Sequence, residues 1–420
     1  MGFPIMTTAR DERWVCRGCG GCCRGNLVPL HNDDLQRLRS QHWEKHPEFA
    51  DHSFLARQGL FSRRYRLAQH GDGTCVFLGK DHLCRIHRDF GFHEKPLVCR
   101  MYPMQIVPLE KKAILTLRRS CPAAAAGEGK RIAEYLAEAR KYVKIRPLLA
   151  EPASPPAIAK KQSLPWSDFI MIAETLADLV NDQKYPLSRR LVHGLCLCNL
   201  LEECRLTNLD AGELRELVSF FAKAAKLKAE EMYLNPVDPG TVAGVLLRQA
   251  IAAYLRLHPL YGTHESWQER WFLYISAFAF TSGKGSVPAL NTAFPEAKFA
   301  DVEKRIPEPL DHTVQALFND YFESHLSSKQ YAIVNRPGWP LLDKFRSLAL
   351  AFPVALWMLR YFSGNAPPTK ETAIAIITTM DRGQGYAPLT GAHHRQKIAS
   401  LKSMQALEKL IIWYERGSNF

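Results

Sequence analysis

The chain has 420 residues, 46% of them hydrophobic and 23% charged, and carries a formal net charge of +13. That length and composition suit a globular protein of two or three domains and exclude a disordered or collagen-like chain. No run of about 18 apolar residues and no apolar leader core is present, so a cytoplasmic protein that does not enter membranes is expected.

The charge is uneven: residues 1–150 carry 26 of the Lys+Arg and 15 of the Asp+Glu. An excess of this kind suits an acidic partner, yet no nucleic-acid-binding motif accompanies it. Local compensation explains it more simply, because Arg17, Arg24, Arg85 and Arg100 each adjoin a cysteine. Eight of the eleven cysteines fall between Cys16 and Cys121, and the other three are Cys196, Cys198 and Cys204. Where thiols are kept reduced, such clustering points to metal or redox chemistry rather than to disulfides.

In chain order, residues 14–125 read as irregular, punctuated by Gly, Pro and Cys. His31 to Arg39 is one short helix, with Asn32 or Asp33 as its cap. Cys75–Leu78 and Ala113–Leu117 are brief apolar stretches suited to strands. Gly129 to Lys144 shows helical periodicity, with Ile132, Tyr135, Leu136, Ala139 and Val143 on one face. A Pro-rich linker follows over 147–165. Helices are then expected at Trp166–Asp182, Leu187–Leu206, Ala211–Met232, Thr241–Leu257, Glu265–Phe280, His312–Ser324, Pro340–Tyr361, Lys370–Met380 and His394–Glu415. Asp210 and Glu213 form a capping box with a carboxylate in the usual hydroxyl position. The fold class is therefore mainly α: a small irregular Cys-rich metal-binding domain over 1–146 (core 14–125), then an all-α multi-helix domain over 166–420.

The chemistry concentrates in four blocks. Cys16-Arg-Gly-Cys19-Gly-Gly-Cys22-Cys23 has the two-residue spacing by which one tight loop points several sulfurs at a single centre; both ferredoxin-type loops and zinc knuckles use it. Gly18, Gly20 and Gly21 give the loop its conformational freedom. The adjacent Cys22 and Cys23 are poor joint ligands for one small ion, so the two serve different centres or one is redox-active or supporting. Cys75, then Cys84-Arg-Ile-His87, then Lys95-Pro96-Leu-Val-Cys99-Arg-Met-Tyr-Pro103, then Cys121-Pro122 supply the remaining sulfurs. The candidate metal ligands are Cys16, Cys19, Cys22, Cys23, Cys75, Cys84, Cys99 and Cys121. They match two four-ligand sites, or one cluster plus spare thiols. His87 is better placed as a hydrogen-bonded surface histidine than as a ligand. Cys196, Cys198 and Cys204 lie in an apolar helical stretch and read as core. Trp267, Trp271 and Tyr274 read as core or interface.

These blocks resemble the YkgJ-type cysteine-cluster family, described as zinc- or iron-chelating, which includes the flagellin lysine N-methylases. The matching residues are Cys16, Cys19, Cys22, Cys23, Cys75, Cys84, Cys99, Arg100 and Pro103, with Cys121 as an addition, over about residues 14–125. The resemblance implies bound metal; with the ferredoxin-like spacing, the expected cofactor is an iron–sulfur cluster, of the 4Fe–4S kind, or zinc. It also implies, more distantly, S-adenosylmethionine and methyl transfer to lysine of a protein substrate. No glycine-rich strand–loop–helix of a Rossmann methyltransferase is present. Gly283–Gly285 and Gly383–Gly385 read as turns. Three classes stay open: a methyl-transferring iron–sulfur protein, a redox or electron-transfer module, and a structural zinc domain that positions a helical interaction domain.

Overall fold

The computed structural model describes residues 4–49, 53–59, 64–146, 154–259, 261, 267–304, 310–385 and 392–415. The start of the Pro-rich linker, and the side chains of Trp267, Trp271 and Tyr274, lie outside this set. The architecture is mainly helical, with a Cys-rich N-terminal part of short strands and turns.

The N-terminal part is built on one small sheet. β1 (Ile5–Thr7) runs parallel to β6 (Ala113–Leu117), and β6 runs antiparallel to β5 (Met104–Pro108). The order β1-β6-β5 makes β6 central, and every residue of β6 is buried. That burial explains why its apolar residues do not alternate, a strand covered on both faces having no solvent side, while the one polar member, Thr116, donates to Glu12 Oε1. Two further pairs, β2 (Arg13–Trp14) with β7 (Lys130–Arg131) and β3 (Leu55–Arg57) with β4 (Tyr65–Leu67), brace the Cys-rich loops. Short helices α1 (Asn32–Ser40), α2 (Arg85–Phe90), α3 (Leu97–Met101), α4 (Pro122–Ala125) and α5 (Leu136–Ile145) fill the gaps. The cap of α1 is His31, one residue before the expected caps.

Two sequence expectations shift here. Cys75–Leu78 is a series of turns and isolated bridges, to Gln69 and Cys84, rather than a strand. The helix expected from Gly129 starts at Leu136, because Lys130 and Arg131 pair with β2 and Ile132–Tyr135 is a 3-10 turn.

The helical part comprises α6 (Trp166–Asn181), α7 (Leu187–Glu202), α8 (Ala211–Leu234), α9 (Thr241–Leu255), α10 (Trp267–Ser282), α11 (Phe299–Lys304), α12 (His312–Ser327), α13 (Gln330–Ile333), α14 (Leu341–Ser363), α15 (Lys370–Gly385), α16 (Ala392–Ser403) and α17 (Ala406–Glu415). α14 is the axle. Nearly all of it is buried, and α7, α9, α15, α16 and α17 pack around it. Its central stretch, Leu348–Leu359, is apolar all round, as suits the middle of a large core. α7 approaches α14 so closely at Gly194 that a Cβ there would collide with the Phe345 ring. Cys196 and Cys198 are buried in this core, and burial pushes both thiols up to about 12. The capping box of α8 forms: Asp210 accepts from the Gly212 and Glu213 amides, and Glu213 accepts from the Asp210 amide.

The region expected as one helix over His394–Glu415 is two, α16 and α17, broken where Gln405 takes φ 47. Gly383–Gly385 ends α15 instead of forming a turn, and its lack of side chains admits the Arg118 guanidinium against Gly385.

Buried charges join the two parts. Asp381 of α15 accepts from Arg118 Nε at 3.0 Å and from the Ser120 amide at 2.8 Å, and lies 3.1 Å from His325 Nε2. Arg119 reaches Asp320 of α12 at 2.6 Å and Glu12 at 3.3 Å. Val107, Leu109 and Ile114 of the sheet meet Trp166, Ile333 and Val334.

Candidate metal centre

The Cys-rich loops gather over a small aromatic core. Trp43 is fully buried among Phe49, Phe77 and Phe90, and Arg85 lies 5.5 Å above its ring. Cys75 belongs to this core, with Cys23, Cys84 and Cys99 packed against it. Backbone bonds fix where each sulfur starts. The Cys75 amide donates to the Cys23 carbonyl at 2.8 Å, and the Gly25 amide to the Gly73 carbonyl at 3.0 Å, which lays the first block along the second. Cys84 precedes the first turn of α2, and Cys99 sits within α3. The Leu97 amide donates to Asp34 Oδ1 at 3.0 Å, which ties α3 to the start of α1.

The result is one cavity of about 40 Å³ faced by five cysteines, Cys22, Cys23, Cys75, Cys84 and Cys99, together with Lys95 and Tyr102. Four separate stretches of chain supply the five. The sulfurs of Cys22 and Cys23 are 3.9 Å apart and share one cavity, which agrees with the alternative that one of the two is redox-active or supporting rather than with two separate centres. Two corners of a tetrahedral zinc–thiolate site are separated by about 3.8 Å, given a Zn–S bond of about 2.3 Å. Among the described residues no three Cys, His, Asp or Glu side chains stand at the separations of one enclosed ion. The donor set nevertheless fits a thiolate-bound metal: soft ligands in excess, in an apolar wall, with a cation beside them.

The remaining three candidates stand apart from that cavity. Gly20, at φ 66, turns the chain between Cys19 and Cys22, so the C-x2-C-x2-C run does not converge on a single point. Cys19 faces the start of α4: a Cβ on Gly21 would lie 3.4 Å from Cys19 Sγ and 3.5 Å from Pro122 Cδ. Cys121 precedes α4, where burial pushes its thiol up to about 11 against the pull of the Ala124 and Ala123 amides, and Cys19 adds to the rise. Cys16 lies toward Tyr135 and, after burial and two glutamates, helps push that phenol up. The eight sulfurs thus divide five and three.

Electrostatics inside the cavity favour protons over bare charge. Cys22 is pushed far up, first by its hydrogen bond with Cys23 and then by burial. Cys23 is eased by that same bond, yet its contact with Cys75 and its burial carry it up to about 12. Burial raises Cys99 strongly against the pull of Lys95. For Lys95 burial opposes the charge, but Cys84, Cys99, Cys22 and Cys23 outweigh it and hold the ammonium above its ordinary range. Thiols this close become an array of thiolates only when a metal cation replaces their protons.

Lys95 is the residue that sequence reasoning missed. The arginines next to the cysteines do other work: Arg17 pairs with Glu128, Arg24 meets His82, and Arg85 pairs with Glu48. The signal for Lys95 was present in the Lys-Pro-Leu-x-Cys block. Tyr102 was likewise unassigned. It lines the cavity, and its hydroxyl donates to Ser120 Oγ at 3.2 Å, one residue from Cys121; the Ser120 amide in turn donates to Asp381. His87 does not line the cavity; its ring packs edge-on to Phe92 at 5.6 Å.

No curated protein and no solved structure matches the chain. Among the described residues no helix is long and apolar enough to cross a membrane. A family model does match: residues 15–122 fit CxxCxxCC, described as "Putative zinc- or iron-chelating domain", which supports metal binding by this segment of the chain.

Proposed function

We propose that the five-cysteine cavity holds an iron–sulfur cluster, ligated by Cys75, Cys84, Cys99 and one member of the Cys22–Cys23 pair. The observation that carries this reading is the spread of the sulfurs. They surround a cavity of about 40 Å³ instead of closing on a point, which suits a polynuclear centre better than a single ion. Such a centre supplies one-electron chemistry. Lys95 offsets its negative charge, Tyr102 closes its inner wall, and the aromatic core under Cys75 keeps water from that side.

The cavity is small beside the several hundred Å³ of a typical organic-cofactor site. S-adenosylmethionine would therefore have to meet the centre from outside, and lysine methylation of a protein substrate rests on the family resemblance alone. Electron transfer or redox sensing is the activity that the geometry supports first. A second reading, structural zinc, draws support from the 3.9 Å Cys22–Cys23 separation.

Anaerobic purification followed by visible spectroscopy and by iron, sulfide and zinc analysis tests the choice. A broad band near about 400 nm with matching iron and sulfide supports the cluster. A colourless protein with stoichiometric zinc refutes it and leaves the structural reading. Heat on titrating S-adenosylmethionine into the loaded protein would reinstate methyl transfer.

A further inference from the structure

Helix α8 packs on α7 and α6, burying Leu214, Val218, Ala225 and Ala229, and turns its other side to solvent. That outer side carries charged residues, but large apolar ones stand among them. Phe220, Leu227 and Leu234 are 64, 69 and 74% exposed, and Val237 and Val242, just past the helix end, are 60 and 59% exposed. The three helical residues are spaced by seven, nearly two full turns, so they stand in one line over about 20 Å of helix. Single exposed apolar residues are ordinary, whereas several aligned on one face point to an association surface.

The charged residues on the ridge indicate what covers it. Lys223 and Glu230 are both exposed, and at helical spacing they flank Leu227 on the same side, one on each side along the axis. A twofold axis through Leu227 sets it against Leu227 of the partner subunit. The same operation sets Phe220 against Leu234 of the partner subunit and brings Lys223 beside Glu230 of the partner subunit, twice over. Parallel pairing would instead place lysine on lysine and glutamate on glutamate. The neighbouring Arg189 reaches Glu230 only at 4.0 Å and leaves that carboxylate more than half exposed. The pattern is thus self-complementary in shape and charge for one arrangement, the isologous antiparallel pair.

We propose that the outer face of α8 is the surface on which two copies of this chain associate, antiparallel about Leu227. The proposal is independent of the metal reading. A ridge of this length lies at the low end of stable interfaces, so association in the micromolar range is expected.

Light scattering and sedimentation of the full-length, metal-loaded protein from about 1 to 200 µM test it. The expected result is a concentration-dependent dimer. Leu227→Glu, which puts like charges on the axis, should be monomeric throughout with unchanged far-UV circular dichroism. Lys223→Glu and Glu230→Lys should each weaken association about tenfold, because each exchanges two attractive pairs for two repulsive ones. The combined K223E/E230K chain should return to within about threefold of the parent, since reversing both charges restores the pairs. A parent chain monomeric at every concentration, a dimer indifferent to L227E, or a double variant no tighter than the singles overturns the proposal. So does a monomeric parent that instead binds an added amphipathic helical peptide, which would assign the ridge to another protein.

Discussion

Asp381 offers the sharpest test of how the metal-binding part is held to the helices. Its side chain is fully buried, as is that of Arg118, and it accepts from Arg118 Nε at 3.0 Å and from the Ser120 amide at 2.8 Å. Asp381→Asn preserves shape but removes the carboxylate that neutralises Arg118 Nε. Breaking one side of a buried pair costs about 3–5 kcal/mol. At roughly 2–4 °C per kcal/mol, the thermal midpoint of the loaded protein should fall by roughly 6–20 °C. In a double-mutant cycle with Arg118→Met, the combined loss should fall short of the summed single losses by about 2 kcal/mol. Acid should act in the same direction. Burial opposes the Asp381 charge, but Arg118 and then His325 outweigh it, so the folded carboxyl titrates well below its unfolded value. Its contribution is therefore complete above the unfolded pKa of about 3.9 and is lost as pH falls below that. The parent should lose stability below about pH 4 more steeply than Asp381→Asn. A variant melting within about 2 °C of the parent, or strictly additive losses, would refute the coupling.

Lys95→Gln should accelerate loss of metal to a chelator about tenfold while far-UV circular dichroism is unchanged, because the thiolates lose their nearest cation. Equal release rates would remove Lys95 from the site. Metal loading should release protons, seen as acidification of a weakly buffered solution, and the apparent affinity should rise with pH. The reason is that Cys22, Cys23 and Cys99 hold their protons tightly in the metal-free cavity. Gly194→Ala should cost about 1–3 kcal/mol by overpacking against Phe345 and leave metal content intact. Metal loss in that variant would show that α14 and the cavity are tightly coupled.

What the sequence made legible was whatever depends on neighbours in the chain. The Asp210–Glu213 box, the run of β6 and the helical periods of α6 to α9 are local patterns, and they appear within a few residues of where they were read. The start of α5 was misjudged because periodicity continues through Ile132, while Lys130 and Arg131 answer to a strand more than a hundred residues earlier. The division of the sulfurs was beyond reach for the same kind of reason. Spacing showed that Cys16, Cys19 and Cys22 could share a centre, whereas the fold turns the chain at Gly20 and lines the cavity with Cys22 but not with Cys16 or Cys19. Asp381 carries no motif at all, since its partners Arg118 and Ser120 lie some 260 residues away.

The Lys95–Pro103 block is where local and distant constraints meet. Lys95 and Cys99 face the cavity, Pro96 precedes the first turn of α3, and the Leu97 amide holds Asp34. The Arg100 carbonyl accepts from Tyr142 of α5, and Tyr102 passes from the cavity wall to Ser120. A single substitution here alters charge, ligand direction and docking together, so the block reads in sequence as one motif. In the fold it is the spoke between the sulfurs and the buried Asp381. Cys99 is thus joined, through α3, Tyr102 and Ser120, to Asp381 of α15 by an unbroken series of contacts.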